Sequence, residues 1–123
     1  MKSRLIAALA LVAFLNMLGS AVQAEVLRVV VVKAQDTVGY VKEIERGRGL
    51  MKKAGSPAVI RVWRAQYAGT DAGAVVVSVE YPDLVALARD TDKMATDPDL
   101  RAWLAGLDKF RTIVSDSVYN ELK

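Results

Sequence analysis

Leu27-Arg28-Val29-Val30-Val31-Val32 decides the fold, together with a second run, Ala74-Val75-Val76-Val77-Ser78-Val79-Glu80-Tyr81. A strand with one buried face alternates apolar and polar residues. A near-continuous β-branched run instead reads as a strand buried on both faces, the place of a central strand in a sheet. Ala58 to Tyr67 is a third strand, with Ile60, Val62, Arg64 and Gln66 on one side and Val59, Arg61, Trp63, Ala65 and Tyr67 on the other. Its arginines mark it as an edge. So do Ser115, Asp116 and Ser117 in a last strand predicted over Thr112 to Tyr119. Gly69-Thr70-Asp71-Ala72-Gly73 is long enough for a hairpin loop into the second valine run.

Helical periodicity fills the spaces between these strands. Asp36 and Thr37 offer capping oxygens, and Val38, Val41, Ile44, Arg48 and Met51 recur at helical spacing, which predicts a helix over 37–53. Gly47 and Gly49 weaken its middle by up to about 1 kcal/mol each relative to alanine, and Gly55-Ser56-Pro57 stops it. Pro82 and Asp83 open a second helix with Leu84, Leu87, Ala88, Thr91 and Met94 or Ala95 on its apolar face. Asp97 and Pro98 interrupt it and start another, with Leu100, Trp103, Leu104 and Leu107 as its stripe. Trp103 on that stripe reads as core.

The order β-α-β-β-α-(α)-β is an α+β, ferredoxin-like arrangement: a four-stranded antiparallel sheet with the helices on one face. Right-handed crossovers put both helical segments on the same side. The other side then bears Leu27, Val29 and Val31, or Val30 and Val32, without a roof. Soluble monomers avoid such a patch, so the expected remedy is a second copy packed sheet to sheet, a homodimer.

Upstream of the domain, Lys2 and Arg4 precede an apolar run from Leu5 to Leu18, and Val22-Gln23-Ala24 supplies a small-residue cleavage site. This reads as a secretory signal peptide over 1–24, followed by a single domain over 25–123. The run is shorter than the roughly 20 residues a membrane-spanning helix needs. The expected location is periplasmic or secreted, with no membrane association after cleavage.

With Lys2 and Arg4 set aside, the formal charge of +3 falls to +1, and no run of like charge exists. Nucleic-acid binding needs a concentrated basic face and is not expected. Cysteine and histidine are absent. That removes disulfide staples, the usual zinc sites, cysteine nucleophiles, Ser-His-Asp triads and histidine-ligated haem. No metal or cofactor is expected. Gly47-Arg48-Gly49 lies inside a predicted helix and lacks the Lys-Ser/Thr ending of a phosphate loop. Asp90, Asp92, Asp97 and Asp99 lack the glycine and terminal glutamate of a calcium loop and read as a solvated helix surface with caps. Glu80 and Asp83 read as a strand-end carboxylate and a helix cap.

The element order, the absence of cysteine, the stretch Val59-Ile60-Arg61-Val62-Trp63-Arg64 leading to Gly69 and Gly73, and the Asp97-Pro98-Asp99-Leu100 break before Trp103 resemble the dimeric α/β-barrel superfamily. Its members include antibiotic-biosynthesis monooxygenase-like and NIPSNAP-like domains. The resemblance implies a cavity between sheet and helices in each subunit. Some members oxidise aromatic polyketides there without a cofactor, using a Trp, an Asn and a nearby Tyr or Arg. Trp63 stands where a strand Trp would, Tyr40, Tyr67 and Tyr81 offer phenols, and Arg61 or Arg64 a cation. The Asn has no counterpart, since Asn16 is in the leader and Asn120 at the extreme C-terminus, and the histidine of haem-degrading members is missing.

The candidate ligand pocket is therefore Trp63, Arg61, Tyr67, Tyr40 and Tyr81, for a small apolar or aromatic ligand. Trp63 has a second reading as an anchor of the dimer interface. Arg61 and Arg64 have one as well: a salt bridge, such as to Glu80 on the neighbouring strand, or snorkelling at the sheet margin. Two functions follow: an exported homodimer that binds a small apolar ligand or a protein partner without catalysis, or a cofactor-independent monooxygenase or isomerase acting on a phenolic substrate.

Overall fold

A computed structural model describes residues 25–67 and 69–123. The signal peptide expected over 1–24 lies outside the described residues. The chain runs β1 (Val26–Ala34), α1 (Thr37–Lys53), β2 (Val59–Arg64), a single 3-10 turn (Gly69–Asp71), β3 (Val75–Tyr81), α2 (Leu84–Thr96), α3 (Pro98–Leu107) and β4 (Arg111–Asn120). The strands form one antiparallel sheet in the order β2-β3-β1-β4. The two valine runs are the central pair and the two arginine- and serine-bearing strands are the edges.

Local chemistry sets the helix ends. Asp36 caps α1 by accepting from Gly39 N at 3.0 Å, and Asp83 caps α2 by accepting from Ala86 N at 2.8 Å. Asp97 accepts from both Asp99 N and Leu100 N, with Pro98 at the first position of α3. These side chains satisfy amides that the first helical turn leaves without a partner. At the other end of α1, Ser56 N donates to Met51 O and Gly55 N to Lys52 O, with Gly55 at φ 82°. That left-handed residue closes the helix as a Schellman turn. The helix runs unbroken through Gly47 and Gly49.

All three helices lie on one face of the sheet. There Val30, Val32, Ile60, Val75 and Val77 pack against Tyr40, Ile44, Met51, Leu100, Trp103 and Leu107. Trp103 is core, as expected, and its Nε1 donates to Glu43 O at 3.1 Å. The ring lies flat against Gly47, where a Cβ would stand 2.7 Å from Cη2 and closer still to two other ring carbons. Gly47 is thus a contact residue, which helix propensity alone does not reveal.

No described helix covers the opposite face. By register it presents Leu27, Val29, Val31, Val59, Arg61, Trp63, Val76, Ser78 and Tyr119. Trp63 is 51 % exposed there, and its indole donates from Nε1 to Ser78 Oγ at 2.7 Å. No described helix is long and apolar enough to cross a membrane.

The pairing of β1 with β4 contains an irregularity that re-aims one end of β4. The register shifts between Val31 and Val32, which pair with Ser115 and Ile113, so Val114 is an extra residue in β4. An extra residue reverses the in-out alternation beyond it. Arg111 and Ile113, opposite Ala34 and Val32, therefore share the helical side with Asp116, opposite Val30.

Candidate functional site

The helical face does not close fully on the sheet. A cavity of about 310 Å³ remains between β1, β3, β4 and the three helices. Its floor is apolar and deeply buried: Val30, Ile44, Ile60, Val77, Trp103 and Leu107. Its mouth lies between β4 and the α2–α3 pair, where Ile113, Asp116, Ala95 and Leu104 are exposed. The stripe expected to seal α2 onto the sheet does so only in part. Leu84 and Ala88 are exposed, and Thr91, Met94 and Ala95 line the cavity. Small and flexible side chains there leave the space that a row of leucines would fill.

Besides Thr91, whose hydroxyl donates to Leu87 O at 2.9 Å, three polar groups interrupt the apolar wall. Arg28 and Asp116 face each other across β1 and β4 in a bidentate pair, Nε to Oδ1 at 2.9 Å and Nη2 to Oδ2 at 2.6 Å. The fork geometry satisfies both. It holds the Asp116 carboxyl below the usual carboxylate range, through the hydrogen bonds first. The second group is Tyr81, buried at the end of β3. Burial pushes its phenol well above the ordinary value, and the charge of the neighbouring Asp90 adds to the shift, so it stays protonated. The third is Arg111, whose side chain is 9 % exposed. Its Nη1 donates to the Tyr40 hydroxyl at 3.2 Å. Its buried Nε has no hydrogen-bond partner among the described residues; Asp108 Oδ1 stands 3.5 Å away, within ion-pair range but outside hydrogen-bond geometry.

Asp90 corrects the reading of the four aspartates as a solvated surface. It is 3 % exposed and accepts a hydrogen bond from Ser56 Oγ, which in turn accepts from Ala58 N at 3.1 Å. The carboxylate ties α2 to the α1–β2 connection and stands behind Tyr81. Asp92 and Asp99 are exposed, and Asp97 caps α3. Among the described residues no three acidic side chains converge as a metal-binding group.

The five residues expected to form a pocket are not brought together. Only Tyr81 lines the cavity. Trp63 and Arg61 sit on the open face of the sheet, where Arg61 Nη1 lies 3.8 Å from Glu80 Oε1 in a salt bridge. Tyr67 is beyond the end of β2 and fully exposed, at 101 %. Tyr40 is fully buried beneath Arg111 and reaches the site only through that arginine. The reason is geometric. Odd-numbered residues of β2 point away from the helices, and the loop after Arg64 carries Tyr67 off the sheet. The cavity's own cations, Arg28 and Arg111, are hard to find in the sequence because Arg28 sits inside a valine run and Arg111 precedes the predicted start of β4. The adjacent apolar pair Ile113-Val114 is the one trace of the bulge that aligns Arg111 with Asp116.

No protein-family model matches the chain, and no curated protein sequence matches it. Solved structures do. A variant of SnoaB, a cofactor-independent oxygenase from Streptomyces nogalater, aligns with TM-score 0.60 and 15% identity over 82% of this chain and 96% of that one. A NIPSNAP family protein from Agrobacterium tumefaciens aligns with TM-score 0.57 and 15% identity over 79% and 90%. A NIPSNAP domain protein from Burkholderia xenovorans aligns with TM-score 0.56 and 20% identity over 80% and 91%. The chain therefore has the ferredoxin-like fold of the monooxygenase-like and NIPSNAP-like domains whose resemblance the sequence carried.

Proposed function

We propose that this chain is an exported homodimeric binding domain that holds a small, largely apolar ligand in the space between its sheet and helices. The observation that carries the reading is the cavity itself: an apolar floor, a few convergent polar groups and a mouth at the β4 edge, the usual make-up of a small-molecule site. A solidly packed interior would have favoured a purely protein-binding role. The second copy belongs on the opposite face, where Val59, Trp63 and Tyr119 stand exposed around the valine centre. Trp63 suits an interface anchor there. The N-terminal segment supports export, through its basic start, apolar run and small-residue end.

A cofactor-independent oxygenase acting on a phenol is the less favoured alternative. Its expected tryptophan points away from the cavity, and it has no asparagine among the cavity residues. The test of the binding reading is native mass spectrometry of protein purified from its source. A co-purifying small molecule, released when the protein is denatured, supports it. An empty protein that also ignores apolar probes argues against it.

A further inference from the structure

The side chains that line the cavity include two guanidiniums, Arg28 and Arg111, and one carboxylate, Asp116. We propose that its ligand is a monoanion, with an apolar body against Val30, Val77 and Trp103 and a single carboxylate or phenolate paired with Arg111. This rests on the reading of the cavity as a ligand site and adds the chemical class of what enters it.

The two cavity arginines differ in how well they are satisfied. Arg28 gives two hydrogen bonds to Asp116, at 2.9 and 2.6 Å, so a carboxylate already faces it at the mouth. Arg111 is the more buried of the two, yet its single side-chain hydrogen bond among the described residues goes to a phenol oxygen rather than a carboxylate. Its Nε is buried without a hydrogen-bond partner among the described residues. Asp108 does not supply the missing charge. It is 72 % exposed, three residues away on the chain, and water screens most of its attraction. A buried guanidinium without a hydrogen-bonded anion is costly, and a planar fork that lines a cavity suits a carboxylate.

The remaining polar neighbours reinforce the sign. Tyr81 is held in its protonated form and adds no negative charge to the wall. Asp116 is hydrogen-bonded to Arg28, and its attraction to Arg111 is the weaker one. Among the side chains that line the space two guanidiniums face one carboxylate, while Asp90, behind Tyr81, is turned to the Ser56 hydroxyl; one anionic head on Arg111 matches that lining. The space lies at the small end of ligand pockets, which suits a two-ring aromatic acid or a medium-chain fatty acid.

The test is calorimetric titration, at neutral pH, of the protein expressed from its full sequence. Two matched pairs serve as probes: naphthoate against naphthalenemethanol, and octanoate against octanol. At least one acid is expected to bind tenfold or more tightly than its alcohol. Arg111→Gln should remove that preference by weakening the acid while leaving the alcohol unchanged. The wild-type pairs need no variant, so the result stands even if Arg111→Gln fails to fold. Equal binding of acid and alcohol overturns the monoanion assignment and leaves the ligand cavity in place. Tighter binding of the alcohol does the same. If none of the four binds at millimolar concentration, the assignment and the cavity reading fall together.

Discussion

Gly47 and Gly49 sit two residues apart in α1, and helix propensity treats them alike: alanine at either should stabilise by up to about 1 kcal/mol. The structure separates them. A Cβ on Gly49 meets nothing within 4 Å, so Gly49→Ala should realise most of that gain. A Cβ on Gly47 would stand 2.7 Å from Trp103 Cη2 and nearer to Cζ2 and Cε2. Carbon atoms pack at about 3.5–4.0 Å, so the indole would have to retreat by roughly 1 Å or more. Trp103 is 5 % exposed and its Nε1 is bonded to Glu43 O, so it has no slack in that direction. Overpacking of this kind costs about 1–3 kcal/mol, and a strained indole hydrogen bond adds about 1 kcal/mol. After the propensity gain, Gly47→Ala should destabilise by roughly 1–3 kcal/mol. Urea unfolding at one fixed protein concentration measures both, since self-association would otherwise shift the midpoint. Trp103→Phe offers an internal control: the smaller ring should shrink the Gly47→Ala penalty and leave the Gly49→Ala gain intact. If Gly47→Ala is as stabilising as Gly49→Ala, the close packing of α1 on α3 is not as described.

Trp63→Asp should turn the proposed dimer into a monomer in gel filtration with light scattering, without lowering affinity for a cavity ligand; a dimer that survives the change refutes the placement of the interface. Asp90→Ala leaves the Ser56 hydroxyl without its acceptor and Tyr81 without its carboxylate neighbour, and should cost roughly 2–4 kcal/mol in urea unfolding, whereas Asp92→Ala at an exposed site should cost little. The Asp116 carboxyl is held below its ordinary value of about 3.9 by Arg28, so the pair supports the fold above that pH. The support is lost as pH falls through the lowered folded value. The stability advantage of wild type over Asp116→Asn should therefore shrink on acidification from neutral pH to about 3, and a constant difference would count against the pairing. Ala95→Leu, placed at the cavity mouth, should stabilise the empty protein by about 0.5–2 kcal/mol and weaken an apolar ligand at least tenfold in calorimetry.

Much of the fold was legible because it rests on short-range rules. The valine runs named the central strands, the arginines of β2 and serines of β4 named the edges, and Asp36, Asp83 and Asp97 marked helix starts that the structure reproduces. The site was much less legible. Strict alternation puts Asp116 on the opposite face from Arg111, and only the extra residue at Val114 reverses it. A bulge is a choice between two registers of nearly equal local energy, settled by packing between distant parts of the chain. Asp90 escapes sequence reasoning for a related cause. An aspartate on a helix reads as exposed until the partner that justifies burying it is known, and Ser56 lies in another element altogether. Trp63 carried the family likeness, yet its position in β2 turned it toward the open face.

The cavity and the open face pose opposite problems for one sheet. A domain of this size, without a disulfide, has little stability to spare. The described residues nevertheless leave apolar surface uncovered on both sides of the same strands. On the open side Val29, Val31 and Val76 share one face of the sheet, the face on which the proposed second copy would pack. On the helical side the sequence works against closure. Ala95 and Thr91 stand where larger residues would fill the gap, and Arg111 places a charge against Tyr40 where an aliphatic side chain would have packed more cheaply. Selection for stability alone would remove all three. Their joint presence around one space is more readily explained if the space is filled in use. The lost packing is then recovered from a ligand rather than from the chain, and the buried guanidinium finds its anion at the same moment.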